Sequence, residues 1–167
     1  MIEGRSLEQQ VQWLADRAEI SDVLFRYFSS TDLRDWNRWG DCLTEDVEVD
    51  LGFGQRTGRE DVVRWVEAAL VDVDATHHMS SNHEITIDGD TATVRSDLLT
   101  THVVVHEGIE ERLTAGGIYN HLLVRTAKGW KIRKAQNSMT WRDGNPTGPA
   151  AATHARVSNS ERPEDLL

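Results

Sequence analysis

Residues 76–94, THHMSSNHEITIDGDTATV, mark the point at which the chain changes from a helical to an alternating hydrophobic pattern. Ile85 and Ile87 alternate with polar residues up to Asp88-Gly89-Asp90, and the alternation resumes beyond this tripeptide and continues to Val104. A glycine between two alternating runs is typical of a hairpin turn, because glycine tolerates the positive φ angle that the turn requires. The stretch therefore predicts two long antiparallel strands.

The two ends of the first strand do not share one simple alternation. Adjacent strand residues point to opposite faces, so strict alternation places His78 on the face opposite Ile85 and Ile87. Two arrangements would reconcile this pattern with a functional His78. We expect either a β-bulge between Met79 and His83 or a strand whose two ends face different compartments.

The residues before this hairpin have helical character. Apolar residues at helical spacing from Leu7 to Thr31 predict a long N-terminal helix, and Asp35 can cap a short second helix. Alternation over residues 47–51 predicts a strand. A third helix is then expected to begin near Thr57, with Glu60 completing a capping box.

Two further strands are predicted after the hairpin, over residues 118–125 and 130–141, with a glycine-containing turn between them. The chain thus has about three helices and then four to six strands, with one strand inserted before the third helix. Helices followed by strands are typical of the α+β class, with an antiparallel sheet.

The composition excludes several classes of function. The chain has 167 residues and a formal net charge of −10, with no cluster of lysine and arginine, which disfavours nucleic acid and anionic membranes as partners. The single cysteine, Cys42, allows neither an internal disulfide nor a thiolate metal site, and we expect it to be a small buried residue. No apolar run approaches the roughly 20 residues of a membrane-spanning helix, and no leader sequence is evident. We expect a cytoplasmic protein.

The pattern divides the chain into three parts. Residues 1–13 form an N-terminal extension and the start of the first helix, and residues 2–5 resemble a protease-recognition linker. Residues 14–141 form the folded domain. Residues 142–167 lack periodicity and are rich in Gly, Pro, Ala, Ser and charge, so we expect this tail to be disordered or docked on a neighbouring subunit.

Four segments in order carry a resemblance to a known family: ADRAEISDVLFRYFSSTDLRDW at 15–36, GRED at 58–61, the opening stretch at 76–94, and GGIYNHLLVRTAKGWKI at 116–132. The chain resembles the SnoaL-like branch of the nuclear-transport-factor-2-like superfamily. This resemblance implies a cone-shaped fold, in which a curved antiparallel sheet packs on three helices. Its site residues look most like those of scytalone dehydratase, bile-acid dehydratase and hexachlorocyclohexane dehydrochlorinase, which eliminate water or HCl without a cofactor.

The resemblance implies that Asp32 and His78 form a catalytic pair. A base that removes a proton from carbon must be neutral, in the correct tautomer and held still, and an ordinary histidine pKa near 6.5 meets the first need. An aspartate that accepts a hydrogen bond from the far ring nitrogen meets the other two. The same register selects His78 over His77, which is expected to point outward. Without a histidine partner, Asp32 would equally be a helix-terminal capping residue.

Other residues are candidates for binding and assistance. Tyr27 matches a tyrosine of the dehydratases, although a single helical tyrosine is more often a core residue. His102 and Asn137 resemble groups that bind a polar substrate atom in scytalone dehydratase. Trp36 and Phe28 would form an apolar wall for a flat ligand. Three other histidines are assigned no role: His106 and His121 are expected on a solvated or interfacial strand face, and His154 in the tail.

The sequence thus predicts a cofactor-independent lyase of the dehydratase type, acting on a small apolar cyclic molecule such as a polyketide, steroid or terpenoid. An isomerase or polyketide cyclase with the same pair is the first alternative, and a non-catalytic binding or assembly module is the second. No metal-ligand spacing is present. The dehydrochlorinase arginine falls near Ala135 here, which disfavours HCl elimination. The family implies a homo-oligomer, either a trimer or a dimer.

Overall fold

The computed structural model describes residue 4 and residues 6–144. The elements in chain order are α1 (Leu7–Leu33), α2 (Trp36–Gly40), β1 (Leu43–Asp50), β2 (Gln55–Thr57), α3 (Arg59–Ala69), β3 (Ala75–Asp88), β4 (Thr91–His106), β5 (Ile109–Thr126) and β6 (Gly129–Asp143). The α+β class and the three helices are confirmed, and the six strands lie within the predicted four to six. The expectation of one strand before the third helix is wrong, because two short strands, β1 and β2, precede α3. The tail beyond residue 144 and most of residues 1–5 lie outside the described residues.

All six strands form one sheet in the order β2-β1-β6-β5-β4-β3. Three hairpins generate the antiparallel run from β3 to β6, and Gly89 and Gly129 adopt positive φ angles of 57° and 89° at two of the turns. The expectation of an entirely antiparallel sheet is wrong, because β1 pairs with β6 in parallel. No hairpin joins these two strands, since β1 is followed by β2 and α3, so turn geometry does not impose an antiparallel direction on them.

A β-bulge in β3 resolves the alternation conflict. The register with β4 shifts between Ser81 and Glu84, and Asn82 adopts a left-handed φ of 54°. The extra residue exchanges the two faces of the strand. As a result, His78 and Ile85 both point towards the helices and are partly buried, whereas His77 is exposed. Of the two predicted arrangements, the bulge is confirmed.

The helix starts agree with the sequence at two of three positions. Ser6 caps α1 in a capping box with Gln9, and the carboxylate of Asp35 accepts a hydrogen bond from the backbone of Arg38 in α2. The expected capping box of α3 is wrong. Thr57 belongs to β2, and Gly58 occupies the N-cap with a φ of 90° and no side-chain cap.

The core lies between the helices and one face of the sheet. Buried residues of α1 and α3 pack against those of the strands, and Ile20, Leu24 and Val62 are fully buried. Cys42 is buried with them, and this burial raises the pKa of its thiol. Within the described residues, no helix is long and apolar enough to cross a membrane.

A partly buried ion pair fixes the first half of α1 to the β5–β6 hairpin. Arg125 donates two hydrogen bonds to the carboxylate of Asp16, at 2.7 and 2.8 Å, and its guanidinium lies over the ring of Trp130. The Trp130 indole donates a third bond to Asp16, at 3.2 Å. The hydrogen bonds from Arg125 outweigh the effect of burial and lower the pKa of Asp16. Asp16 and Arg125 are far apart in sequence, so their hydrogen bonds hold α1 against the β5–β6 end of the sheet.

Candidate active site

The last turn of α1 meets the start of β3 through one side-chain pair. The Nδ1 atom of His78 lies 2.6 Å from Oδ1 of Asp32, and the backbone N–H of His78 donates to Oδ2 of the same carboxylate at 2.9 Å. Both side chains are largely shielded, with exposed fractions of 14% for His78 and 20% for Asp32. The structure therefore brings the two predicted residues together.

The protonation of the pair follows from its hydrogen bonds. Burial raises the pKa of Asp32, but the bonds from His78 and Thr76 outweigh it, so the pKa lies below its ordinary value of 3.8. An ionised carboxylate only accepts hydrogen bonds, so the proton between the two groups belongs to Nδ1 of His78. When the imidazole is neutral, Nε2 then carries a lone pair and is the ring nitrogen available to another molecule.

An apolar cavity of about 100 Å³ adjoins His78. It lies between α1, α3 and the strands, and four of the predicted site residues line it in addition to His78: Tyr27, Phe28, His102 and Asn137. The ring of His102 lies 5.5 Å from that of His78, measured between centroids. The remaining walls of the cavity are mainly apolar. They come from Thr31, Trp39, Leu51, Phe53, Val66, Ala69, Leu70, Leu98, Thr100, Leu113, Ala115, Tyr119, Met139 and Arg142.

Trp36 is not among the residues that line this cavity, contrary to the prediction. Its place is taken by Trp39, which is 1% exposed and stacks on Tyr27 with ring centroids 5.0 Å apart. Trp36 packs edge-on against Trp39 from the other side and lines a groove on the outer surface. Helix α2 has only five residues, so its periodicity does not define which tryptophan faces inward.

Two phenols share the cavity. Tyr27 and Tyr119 are 5% and 2% exposed, and burial raises the pKa of each well above its ordinary value. Both groups therefore remain protonated and can donate hydrogen bonds to a bound molecule. Sequence reasoning identified Tyr27 and missed Tyr119. The spacing of Tyr119 from the apolar Leu123, which places both on the same strand face, could have indicated that Tyr119 points inward.

His121 is not on a solvated face as expected. It is 3% exposed and lies within 6.0 Å of the rings of Tyr27, Phe28 and Tyr119, measured between centroids. Neither ring nitrogen has a hydrogen-bond partner within the described part of the chain. Burial lowers its pKa to about 3, so the imidazole is neutral at ordinary pH. His106 is exposed, as predicted.

Sequence reasoning also missed two residues beside the pair. The hydroxyl of Thr76 donates to Oδ1 of Asp32 at 2.9 Å, and Arg34 donates to the same hydroxyl at 2.9 Å. Thr76 precedes the paired histidine by two positions and therefore lies on the same strand face. That spacing was the only signal available from the sequence. Among the described residues, no group of three or more His, Cys, Asp or Glu could hold a metal ion.

The profile of the SnoaL-like domain matches residues 12–136, so the chain belongs to the SnoaL-like family. An uncharacterized protein of Mycobacterium tuberculosis is 30% identical over 122 residues, covering 71% of this chain and 82% of the relative. A terrestric acid biosynthesis cluster protein of Penicillium crustosum is 27% identical over 136 residues, covering 78% and 87%. The family predicted from the four sequence segments is confirmed.

Solved structures of related fold include a scytalone dehydratase-like protein and a hexachlorocyclohexane dehydrochlorinase. A scytalone dehydratase-like protein of Novosphingobium aromaticivorans superposes with a TM-score of 0.74 at 20% identity, over 92% of this chain and 96% of its own. A type 2 hexachlorocyclohexane dehydrochlorinase gives a TM-score of 0.74 at 20% identity, over 84% and 98%. At this identity the likeness shows the fold alone, which is cystatin-like.

Proposed function

We propose that this protein is a cofactor-independent lyase that eliminates water from a small cyclic β-hydroxy carbonyl compound. The observation that carries the proposal is the 2.6 Å contact between Nδ1 of His78 and Asp32 at the wall of an apolar cavity. The arrangement supplies an oriented neutral base in a place largely shielded from water. General bases of this kind contribute about 10²- to 10⁴-fold to a rate.

The proposed step is a β-elimination. Nε2 of His78 takes the proton from the carbon next to the carbonyl, and the electrons of that C–H bond form the new C=C bond as the C–O bond to the β-hydroxyl breaks. The departing hydroxyl takes this proton from Nε2 of the His78 imidazolium and leaves as water, which returns the imidazole to its neutral form. Asp32 stays ionised and stabilises the imidazolium that forms on His78, because its carboxylate already accepts the Nδ1–H bond. The products are a conjugated enone and water.

Polar groups of the cavity wall can assist at the oxygen atoms. The Tyr27 phenol is protonated and buried, so it can donate to the carbonyl oxygen or to the departing hydroxyl. Asn137 on β6 offers an amide N–H, and His102 on β4 lies next to His78. The surface of the cavity is nevertheless mainly apolar, which supports a largely apolar substrate.

The cavity size narrows the substrate class. An apolar protein cavity of about 150 Å³ accommodates benzene, so the 100 Å³ next to His78 has room for no more than about one small ring. We infer that the reacting part of the substrate is a single ring, and that any larger skeleton extends out of the cavity, of whose lining residues Arg142 is exposed. Monocyclic polyketide or terpenoid ketones satisfy this limit better than a four-ring steroid.

The experiment is incubation of the purified protein with a panel of monocyclic and polycyclic β-hydroxy ketones, followed by mass spectrometry and enone absorbance. We expect loss of water from a monocyclic member. His78→Ala should abolish it, and His77→Ala, a neighbouring exposed histidine on the same strand, should not. Double-bond migration or carbon–carbon closure without water loss would instead identify an isomerase or cyclase. Inertness towards the whole panel in wild type would overturn the proposal.

A further inference from the structure

Arg34 closes the end of α1 in an unusual conformation. It is the C-cap residue of the helix, with a left-handed φ of 57°, and its backbone N–H returns to the carbonyls of Ser30 and Thr31. This conformation directs the guanidinium towards the segment that leads into β3. There, Nη1 donates to the Thr31 carbonyl at 2.8 Å and to Oγ1 of Thr76 at 2.9 Å, and Nη2 donates to the Val73 carbonyl at 3.1 Å.

The contact with Arg34 decides the direction of the Thr76 hydroxyl. A guanidinium has no acceptor atom, so Oγ1 of Thr76 must accept from Arg34. The single hydroxyl proton is then free to point at Oδ1 of Asp32, at 2.9 Å. Without the guanidinium, the hydroxyl could rotate and accept a bond in place of donating one.

Asp32 consequently receives three hydrogen bonds in fixed directions. Oδ1 accepts from the Thr76 hydroxyl and from Nδ1 of His78, and Oδ2 accepts from the backbone N–H of His78. These bonds hold both the rotation of the carboxylate and its ionised state. The imidazole can then satisfy Asp32 only with its proton on Nδ1.

We propose that Arg34 and Thr76 are positioning residues that keep the His78 proton on Nδ1, and so keep Nε2 free to act as the base. This role rests on the proposed function only for its effect on turnover, because the tautomer of His78 can be observed without a substrate. Arg34 also ties the end of α1 to the turn before β3, so its substitution could disturb the fold as well as the tautomer of His78. A substitution at Thr76 tests the effect on the tautomer more selectively.

The test is nitrogen-15 NMR of the histidine ring in the full-length protein, with the His78 signals identified by their absence in His78→Ala. Wild type should show one tautomer, protonated on Nδ1. Thr76→Val removes the hydroxyl but keeps the branched shape, and it should shift the population towards the Nε2-protonated form. Thr76→Ser restores the hydroxyl and should restore the wild-type signals. Arg34→Gln should behave like Thr76→Val if it folds.

Once a substrate is found, Thr76→Val should lower kcat by roughly 10- to 100-fold with little change in KM, as expected for a displaced catalytic group. An unchanged Nδ1-protonated tautomer in Thr76→Val, with the fold intact, would overturn the inference whatever the kinetics. A shifted tautomer in a protein that dehydrates no member of the panel would support the positioning role and contradict the proposed function. The two failures are therefore distinguishable.

Discussion

Asp32 and His78 are separated by 46 positions in the sequence, yet their side chains meet at 2.6 Å between Oδ1 and Nδ1. The contact joins the last turn of the longest helix to the first strand of the large hairpin. Each residue alone has an ordinary structural explanation, as a helix-terminal aspartate or as a strand histidine. Their meeting at the wall of an apolar cavity is what gives the site a chemical meaning.

The bulge in β3 is expected to depend on the backbone of Asn82. A left-handed φ is tolerated by asparagine and glycine but disfavours a β-branched residue, by about 1–2 kcal/mol. Asn82→Val should therefore lower the free energy of unfolding by about that amount, measured by urea denaturation. Asn82→Gly should cost less, because it keeps the backbone conformation and loses only the 2.6 Å bond to Asp97. Ser81→Val, one residue earlier and exposed, is the control.

Equal stability of Asn82→Val and wild type would mean that the bulge does not require a left-handed residue. The functional consequence is also testable, because the bulge is what places His78 and the apolar end of β3 on the same face. Deletion of Asn82 would restore simple alternation, so that His78 and Ile85 would point to opposite faces of β3. Such a variant should lose either its fold or the His78 contact, as seen by NMR.

His121 should make stability dependent on pH. Its pKa is lowered from 6.5 to about 3 by burial, so between these values the unfolded chain binds a proton that the folded chain does not. The free energy of unfolding should then fall as the pH falls through this interval, by about 1.4 kcal/mol per pH unit from this group. The contribution is absent above the unfolded value, where both states are neutral.

His121→Leu should remove that slope and raise the free energy of unfolding at acidic pH, since it also eliminates two buried ring nitrogens that lack hydrogen-bond partners among residues 6–144. Urea denaturation at a series of pH values measures it. His106→Leu, at an exposed position on β4, is the matched control and should keep the wild-type slope. The same slope in His121→Leu and wild type would show that the buried imidazole is not the source.

Tyr27 is expected to act through its hydroxyl group. Tyr27→Phe keeps the ring that stacks on Trp39 and removes only the donor, so the fold should persist while kcat falls. Loss of one such donor typically costs about 10²- to 10³-fold. Steady-state kinetics together with near-ultraviolet circular dichroism would separate the two effects. An unchanged kcat in Tyr27→Phe would reduce Tyr27 to a core aromatic.

The order of elements was predictable because the hydrophobic period changes clearly at residue 76, and because glycine marks the hairpin turns. The identity of the inward-facing tryptophan was not predictable, since the five residues of α2 are too few for their spacing to define a buried face. His121 was misplaced because residues 118–124 are apolar on both faces of β5, which hides the alternation. The parallel pairing of β1 with β6 depends on contacts between segments that are distant in sequence, and local sequence patterns do not predict such contacts.

The site likewise has one part that was predictable from the sequence and one part that was not. The Asp32–His78 pair was predicted from a family resemblance, which carries information about distant contacts that spacing alone lacks. The contributions of Arg34 and Thr76 were not predicted. Thr76 had only its two-residue spacing from His78 as a signal, and Arg34 had none, because a side chain that bridges a helix end and a strand leaves no periodic pattern. Hydrogen bonds of this kind emerge only when the two elements are placed in three dimensions.

The most direct test of the account is a double-mutant cycle on water elimination, with Asp32→Asn, His78→Ala and the double variant. Residues that act as one unit lose activity non-additively. We predict that each single variant keeps its fold and loses about 10³- to 10⁴-fold in kcat, and that the double variant loses no more than His78→Ala alone. A wild-type rate in either single variant, or losses that multiply in the double variant, would contradict the claim that the two residues form one catalytic base.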